Sequence, residues 1–433
     1  MTGASHSAGN TAKNILLVAL VVLLGVLCAA CWLTALNVSQ MSANNPLRRV
    51  YDQLSGGAVG YELRSSGIAA AEPVQMAITV DGKLTGVQYN LADLEAGLEA
   101  ASPLWAEVLG SAVQLNETDD QTLAAALAGG DAALLRYHGA IRVPVLAGWL
   151  GGSSNLNIAA ETLVYTESEG LLFIRTGEGE LYSAPAKVSA DTIQRAKESF
   201  RGTVCEFSGS AYAVYPETLL FDQGVMTLPR LEATALDLFD AQGGGSLQTL
   251  LNAFQYTPYV RSYAEQDGKS KVFADDVSTM RVYADGLTQY TASGESGAIS
   301  AYDRGEAEGL ASLDAQLDCA RTVLDTALRA VEAETRASLC GVQQEDGVTT
   351  LSFVQTYNGV PILGETDFAT FVFREGALLS ASLHLQRFEA EDVRQGVMPA
   401  RQAAAASDGS ARELIVAYRE QDGVYVPGRY YLK

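Results

Sequence analysis

The segment that decides the fold runs from Ser312 to Arg336 and has the sequence SLDAQLDCARTVLDTALRAVEAETR. Apolar residues recur in it every three or four positions, which predicts a helix with one buried face. The positions of that face are Leu313, Leu317, Ala320, Leu324, Ala327 or Leu328, and Val331. Acids and bases alternate on the opposite face, at spacings that allow weak surface ion pairs.

Four strand-like segments follow this helix, at 339–344, 349–357, 367–374 and 378–388. A helix followed by a meander predicts an antiparallel sheet with the helix across one face. A shorter version follows, with a helix at 399–406 and strands at 413–420 and 425–432. The fold class is therefore predicted to be α+β.

The part of the chain before this region is predicted to form strands that alternate with short helices. Asp81-Gly82 predicts a hairpin turn, and Asn90 and Ser189 predict helix starts. Gly243-Gly244-Gly245 is the clearest break. We expect a membrane-proximal α+β domain at 47–242 and a C-terminal α+β domain at 246–433, each with antiparallel sheets and one or two packed helices.

An apolar run from Ile15 to Leu36 contains no charged residue. Its length of about 22 residues is enough to cross the hydrocarbon core of a bilayer. It predicts a single transmembrane signal anchor at 14–37, between a cytoplasmic tail at 1–13 and a stalk at 38–46. The flanking basic residues do not fix the orientation, but long domains translocate largely regardless of charge. The expected location is the plasma membrane, with the body extracytoplasmic.

Small residues give this run two further readings. Gly25 and Ala29 lie four apart on one face, where another helix can approach closely. They form the candidate transmembrane partner face, with plain anchoring as the alternative. Cys28-Ala29-Ala30-Cys31 also resembles a lipoprotein signal, so lipidation of Cys31 is a rival interpretation.

The formal net charge is −22, from 51 acidic and 29 basic residues without a long acidic block. This diffuse negative field would repel nucleic acid and is compatible with basic protein partners or simple solubility. Gly129-Gly130 and Gly151-Gly152 are not followed by the Lys-Ser/Thr of a phosphate-binding loop, so nucleotide binding is not expected.

No motif for catalysis, a cofactor or a metal is recognised. His6, His138 and His384 are isolated, and none has the second histidine that zinc sites commonly place three to five residues away. We therefore expect a non-enzymatic protein. A hydrolase stays open as the alternative if polar groups converge around His138 or His384.

Three cysteines, Cys205, Cys319 and Cys340, lie beyond the apolar run, which permits one disulfide among them. Cys319 to Cys340 is the expected pair, because a helix and the strand returning beside it would carry the two thiols. Spacing alone does not establish it.

The segment from Phe353 to Gly364, FVQTYNGVPILG, has a strand, a turn and a second strand. Asn358-Gly359 accepts left-handed backbone angles and Pro361 fixes the exit, so these residues form a candidate structural turn. Together with 370–376 and 379–383, the segment resembles PepSY-like modules. The PepSY-like region spans about 312–433.

Upstream, FQYTPYV at 254–260 and MRVYADG at 280–286 resemble the YycH and YycI proteins of Gram-positive bacteria. The resemblance runs from Leu247 to the end, although this acidic, alanine-rich chain departs from the lysine-rich members. It implies an accessory regulator of a two-component sensor histidine kinase in cell-envelope signalling. The expected partners are that kinase or a homologous accessory protein, and the resemblance brings no catalytic residues. The alternative is a PepSY-like extracellular module that binds or inhibits a protease, peptide or cell-wall ligand.

Overall fold

The computed structural model describes residues 70–221, 226–234, 236, 238–239, 244–257, 259–265, 268–294, 299, 301, 313–364 and 367–432. All of them belong to one of the two compact units of the chain, Leu63–Tyr302 with Glu308–Lys433. The predicted anchor, its Gly25 and Ala29 face, Cys31 and the stalk lie outside the described residues. Among the described residues, none of the helices combines the length and apolar character needed to cross a membrane.

The first sheet contains nine antiparallel strands in the order β9-β8-β2-β1-β4-β5-β6-β7-β3. Its strands are β1 (Gln75–Val80), β2 (Lys83–Gln88), β3 (Asn116–Glu117), β4 (Ala132–Arg142), β5 (Ala159–Thr166), β6 (Leu171–Arg175), β7 (Leu181–Pro185), β8 (Thr203–Phe207) and β9 (Leu219–Phe221). Four helices accompany them: α1 (Leu91–Ser111), α2 (Asp120–Ala128), α3 (Val143–Trp149) and α4 (Ala190–Ser199). The next strand, β10 (Thr227–Thr234), belongs to a different sheet.

Both faces of the first sheet are covered. Met76 and Ile78 of β1 join the main core with Trp105 of α1, whereas Ala77 between them joins a second core with Leu123 of α2. Successive side chains of a strand point to opposite faces, so helices on both sides explain why β1 is buried almost throughout.

The expected helix starts are present. The Asn90 side chain accepts hydrogen bonds from the N–H groups of Ala92 and Asp93, and the Ser189 hydroxyl accepts one from Thr192 N–H. These bonds satisfy donors that the first turn of a helix otherwise leaves unpaired.

The second sheet is antiparallel within itself, in the order β15-β16-β18-β19-β14-β13-β12-β11. Its edge strand β15 joins β4 of the first sheet through a short parallel pairing at Val342 and Ile141. Helix α5 (Gly244–Ala253) precedes the strands of this sheet in the chain. Helix α6 (Leu313–Ala330) lies between β14 and β15 in the chain and packs in the main core with the sheet. The strands of the second sheet are β11 (Arg261–Ala264), β12 (Ser270–Ala274), β13 (Ser278–Tyr283), β14 (Leu287–Ala292), β15 (Arg336–Glu345), β16 (Val348–Tyr357), β18 (Ala369–Arg374) and β19 (Ala377–His384), with β17 (Val360–Leu363) continuing the hairpin from β16.

The helix and meander predicted from sequence are confirmed, and the fold is α+β. The face of α6 predicted to carry only weak surface ion pairs differs at Arg321, which is buried and forms a 3.0 Å ion pair with Glu72. Leu317, Leu324 and Leu328 of α6 are buried in the main core together with Phe353 and Phe371 of the sheet. The helix is shorter than predicted: it ends at Ala330, and Glu332 has a left-handed φ of 53° before β15 begins at Arg336.

A third sheet has the order β20-β10-β22-β21-β17 and is antiparallel except between β17 and β21. Its added elements are β20 (Arg387–Gly396), α7 (Ala400–Ala406), β21 (Glu413–Gln421) and β22 (Val424–Leu432). The predicted single strand at 378–388 is wrong at its end, because the chain leaves β19 for this sheet as β20. Since β10 precedes the triglycine and pairs with β20 and β22, the two predicted domains share a sheet.

The Asn358-Gly359 turn closes the β16–β17 hairpin, with φ angles of 49° and 80°. It packs against Tyr89, and a Cβ atom added at Gly359 would lie 2.1 Å from the Tyr89 carbonyl oxygen. The Tyr89 hydroxyl accepts a 3.0 Å hydrogen bond from Val416 N–H of β21. Tyr89 therefore joins the end of β2 to the third sheet.

We expect Gly359→Ala to destabilise the fold much more than Gly347→Ala. Gly347 also has a left-handed φ, of 74°, but has no atom within 4 Å of an added Cβ. The control should lose about 1 kcal/mol from the left-handed backbone alone. Gly359→Ala should lose at least about 2 kcal/mol more, because backbone at Tyr89 must also move. Urea unfolding followed by tryptophan fluorescence measures both, and equal losses would contradict the contact.

Candidate functional site

A largely buried group of charged residues, the charge cluster, joins the first sheet to β21. Its members are Asp120, Arg136, Glu161, Arg175, Glu217, Arg412 and Glu413. Arg136 of β4 pairs with Glu413, lies 3.8 Å from Glu161 and donates a 3.4 Å hydrogen bond to the Leu414 carbonyl. Burial opposes its charge, but the carboxylates of Glu413 and Glu161 outweigh this effect and raise the pKa of Arg136.

The other half of the charge cluster surrounds Arg175 of β6. Arg175 pairs with Glu217 through Nε and Nη2 and with Asp120 at 2.7 Å. Asp120 also pairs with Arg412. The Tyr215 ring stacks against both arginines, with its centroid 3.8 Å from Cζ of Arg175 and 5.1 Å from Cζ of Arg412. Tyr215 and Glu217 belong to the loop before β9. This loop is thus held between β6 of the first sheet and the start of β21 in the third sheet.

The cavity inside the charge cluster has a volume of about 20 Å³. Space of this size holds about one water molecule and is far smaller than a ligand pocket. The charge cluster therefore links the strands β4 and β6 of the first sheet to β21 of the third sheet.

The two histidines of the body lie in different settings. His138 occupies the irregular segment of β4 between Arg136 and Ile141, where β4 separates from β5. Burial, assisted by the positive charge of Arg136, lowers its pKa to about 3. His384 ends β19 opposite Leu287. Neither lines the charge-cluster cavity or a second small cavity beside Lys197, and the described residues contain no group of three potential metal-ligating side chains.

The expected Cys319–Cys340 disulfide is not formed in the structure, where both residues and Cys205 are free thiols. Cys340 lies in the bulge of β15, with its carbonyl against Gly139, and Cys319 packs against the main core. Burial raises the pKa of both thiols to about 12. The thiolate that disulfide exchange requires is therefore scarce at neutral pH.

An exposed strand edge, the edge patch, lies at the end of the second sheet. It consists of β11 and its flanking residues: Tyr259, Arg261, Ser262, Tyr263, Ala264 and Glu265. Within the described part of the chain, β11 pairs only with β12. Tyr259 is 93% exposed and Tyr263 60% exposed, and all four residues of β11 are exposed. Exposed tyrosines and an open strand edge are typical of protein contact surfaces.

The sequence did not predict β11, because Arg-Ser-Tyr-Ala lacks the alternation of apolar and polar residues that marks a half-buried strand. Tyr259 belongs to the FQYTPYV segment of the YycH/YycI resemblance, but nothing in the sequence shows that its ring is exposed. The charge cluster was also missed, since its partners are remote in sequence: Arg136 and Glu413 lie 277 positions apart.

The solvent side of the second sheet, the outer face, carries hydroxyl and amide groups. Cross-strand pairing places Thr370, Ser382 and Gln289 in one row, and Ser380, Thr291 and Thr279 in the next. All six are exposed or half-buried. The neighbouring positions Phe371, Ala381 and Tyr290 point into the core.

Comparison with known proteins leaves the family open, because no family model, curated protein or solved structure matches the chain. The YycH/YycI and PepSY resemblance stays a prediction.

We expect Glu413→Gln to cost about 3 kcal/mol of unfolding free energy, because it removes a charged partner of the buried Arg136. Asp191→Asn is the matched control. It breaks the Arg195–Asp191 pair, whose side chains are 66% and 81% exposed, and should cost less than about 1 kcal/mol. Urea unfolding at neutral pH compares them, and similar losses would show that the charge cluster contributes no more than a surface pair.

His138 should make stability pH-dependent. The folded side chain stays neutral down to about pH 3, whereas the unfolded one gains a proton below about pH 6.5. Its contribution is therefore present above pH 6.5 and declines as the pH falls. Between pH 7.5 and 5.5 this amounts to about 1 kcal/mol. His138→Gln should reduce the loss of unfolding free energy over that interval by this amount, and an unchanged pH dependence would contradict it.

Proposed function

We propose that the chain is a membrane-anchored extracytoplasmic accessory regulator of a two-component sensor histidine kinase, acting by protein contact. In this proposal Ile15–Leu36 spans the plasma membrane, and its Gly25 and Ala29 face packs against a helix of the kinase or of a homologous accessory protein. The body provides a second contact surface outside the membrane, and neither nucleic acid nor nucleotide takes part.

The observation that carries the contact role is the edge patch. Tyr259 and Tyr263 present rigid aromatic surface to solvent, and the neighbouring Arg281 forms a 3.0 Å ion pair with Glu265. Tyrosine and arginine are enriched at protein contact surfaces and in their binding hot spots. The YycH/YycI resemblance and the apolar run supply the kinase and the membrane in this proposal.

A PepSY-like binding module for a protease, peptide or cell-wall ligand is the second candidate, and the outer face favours it. Its Ser, Thr and Gln side chains offer donors and acceptors at strand spacing and carry no charge of their own. Arg281 continues the first row opposite Gln289, so such a face suits a polar ligand such as a wall sugar. In this case the transmembrane segment is only a tether.

Exchanging Ile15–Leu36 for an unrelated apolar helix distinguishes the two candidates. We expect phosphorylation of the response regulator to change at matched protein levels, because the specific helix contact is lost. Gly25→Leu with Ala29→Leu should reproduce the change, whereas the control Leu27→Ile on the opposite helix face should not. Unchanged phosphorylation in the exchanged protein would contradict contact through the helix and leave the binding module as the better candidate.

A further inference from the structure

We propose that the edge patch pairs with the same strand of a second copy of this chain, antiparallel and with Tyr263 on the two-fold axis. The inference rests on the proposed role of the edge patch as a protein contact surface. It further specifies the partner, which is a second copy of this chain, and the register of the strand pairing. The second sheets of the two copies would then form one continuous sheet across the contact.

The backbone of β11 is suited to such a pairing. Glu265 N–H donates a 3.0 Å hydrogen bond to the Ser270 carbonyl of β12. Because backbone groups alternate between the two sides of an antiparallel strand, Tyr263 and Arg261 also direct theirs toward β12. Ser262 and Ala264 therefore direct their N–H and C=O groups to the open edge.

A dyad at Tyr263 uses all of these groups. It places Ser262 opposite Ala264 of the second copy, and Ala264 opposite Ser262. Each of these pairs exchanges two backbone hydrogen bonds, so the contact contains four. Tyr263 faces Tyr263 of the second copy at the intervening position without hydrogen bonds, where opposing Cα atoms come within about 4.5 Å of each other and side chains meet closely.

The side chains favour this register over its neighbours. Arg261, Tyr263 and Glu265 share one face of the strand, since alternate residues point the same way. With Tyr263 on the axis, Arg261 lies opposite Glu265 of the second copy, twice by symmetry. Glu265 already pairs with Arg281 of its own chain, so Arg261 would be a second cation beside the same carboxylate. Centring the pair on Arg261 or Glu265 would oppose like charges, and centring it on Ser262 or Ala264 would separate Arg261 from Glu265.

This self-complementarity of charge and hydrogen bonding is the reason for choosing a second copy over an unrelated strand. A two-fold contact needs one patch that complements itself. Pairing one short strand buries much less area than a stable interface between free proteins. Anchoring in a common membrane, as in the proposed function, would supply the effective concentration that such a contact needs.

Cysteine cross-linking of the full-length protein in membranes tests the register. In a background with Cys28→Ala and Cys31→Ala, Tyr263→Cys places two thiols at the dyad, within the Cα separation that a disulfide accepts. The control Tyr259→Cys is more exposed but lies four residues from the axis. We expect mild oxidation to give at least tenfold more covalent dimer with Tyr263→Cys than with Tyr259→Cys.

Arg261→Glu provides a second readout, because it places a second carboxylate opposite Glu265 of the other copy. The change is made at an exposed side chain. Added to Tyr263→Cys, it should reduce the covalent dimer at least tenfold. Equal cross-linking at positions 263 and 259, no dimer with Tyr263→Cys, or a link to a different protein would each overturn the second-copy proposal. Response-regulator phosphorylation does not enter this measurement, so its outcome is separable from that of the anchor exchange.

Discussion

Arg136 occupies a buried position on β4 and keeps its charge there because carboxylates from two other strands lie beside it. Glu161 comes from the neighbouring β5, but Glu413 comes from β21 in the third sheet. Removing either sheet would leave a buried charge without its partner, which is among the most costly defects in a protein. This requirement ties the C-terminal hairpin to the first sheet. Arg175, Asp120 and Arg412 extend the same constraint to the loop before β9.

The two large sheets are covered differently. The first sheet has helices on both faces, with β1 contributing to a separate core on each side. The second sheet is covered by α5 and α6 on one side and leaves polar residues on the other. An exposed edge and an exposed face therefore occur together in the second sheet, and both candidate functions depend on it.

Local patterns in the sequence were sufficient for α6, the helix caps at Asn90 and Ser189, and the strands of the second sheet after α6. Each of these depends on periodicity or on residues within a few positions. The C-terminal helix and hairpin, α7, β21 and β22, were predicted as well. Their place in the third sheet was not, because β10 finds its partners far along the chain and across a triglycine that signals a boundary. The charge cluster and the exposure of Tyr263 likewise arise from tertiary packing. Local patterns in a single sequence carry no information about such contacts.

The placement of β10 also affects the order in which the molecule can fold. Arg230 of β10 contacts Gln395 of β20, 165 positions later, and β22, the other neighbour of β10, follows later still. Contacts between such remote segments form slowly, because a long loop must close before any of them is stable. Synthesis from the N-terminus would therefore leave β10 without neighbours until the C-terminal strands emerge. A chain with this topology can pair the strands of its first sheet early in synthesis, but it completes its third sheet only when the C-terminal strands have emerged.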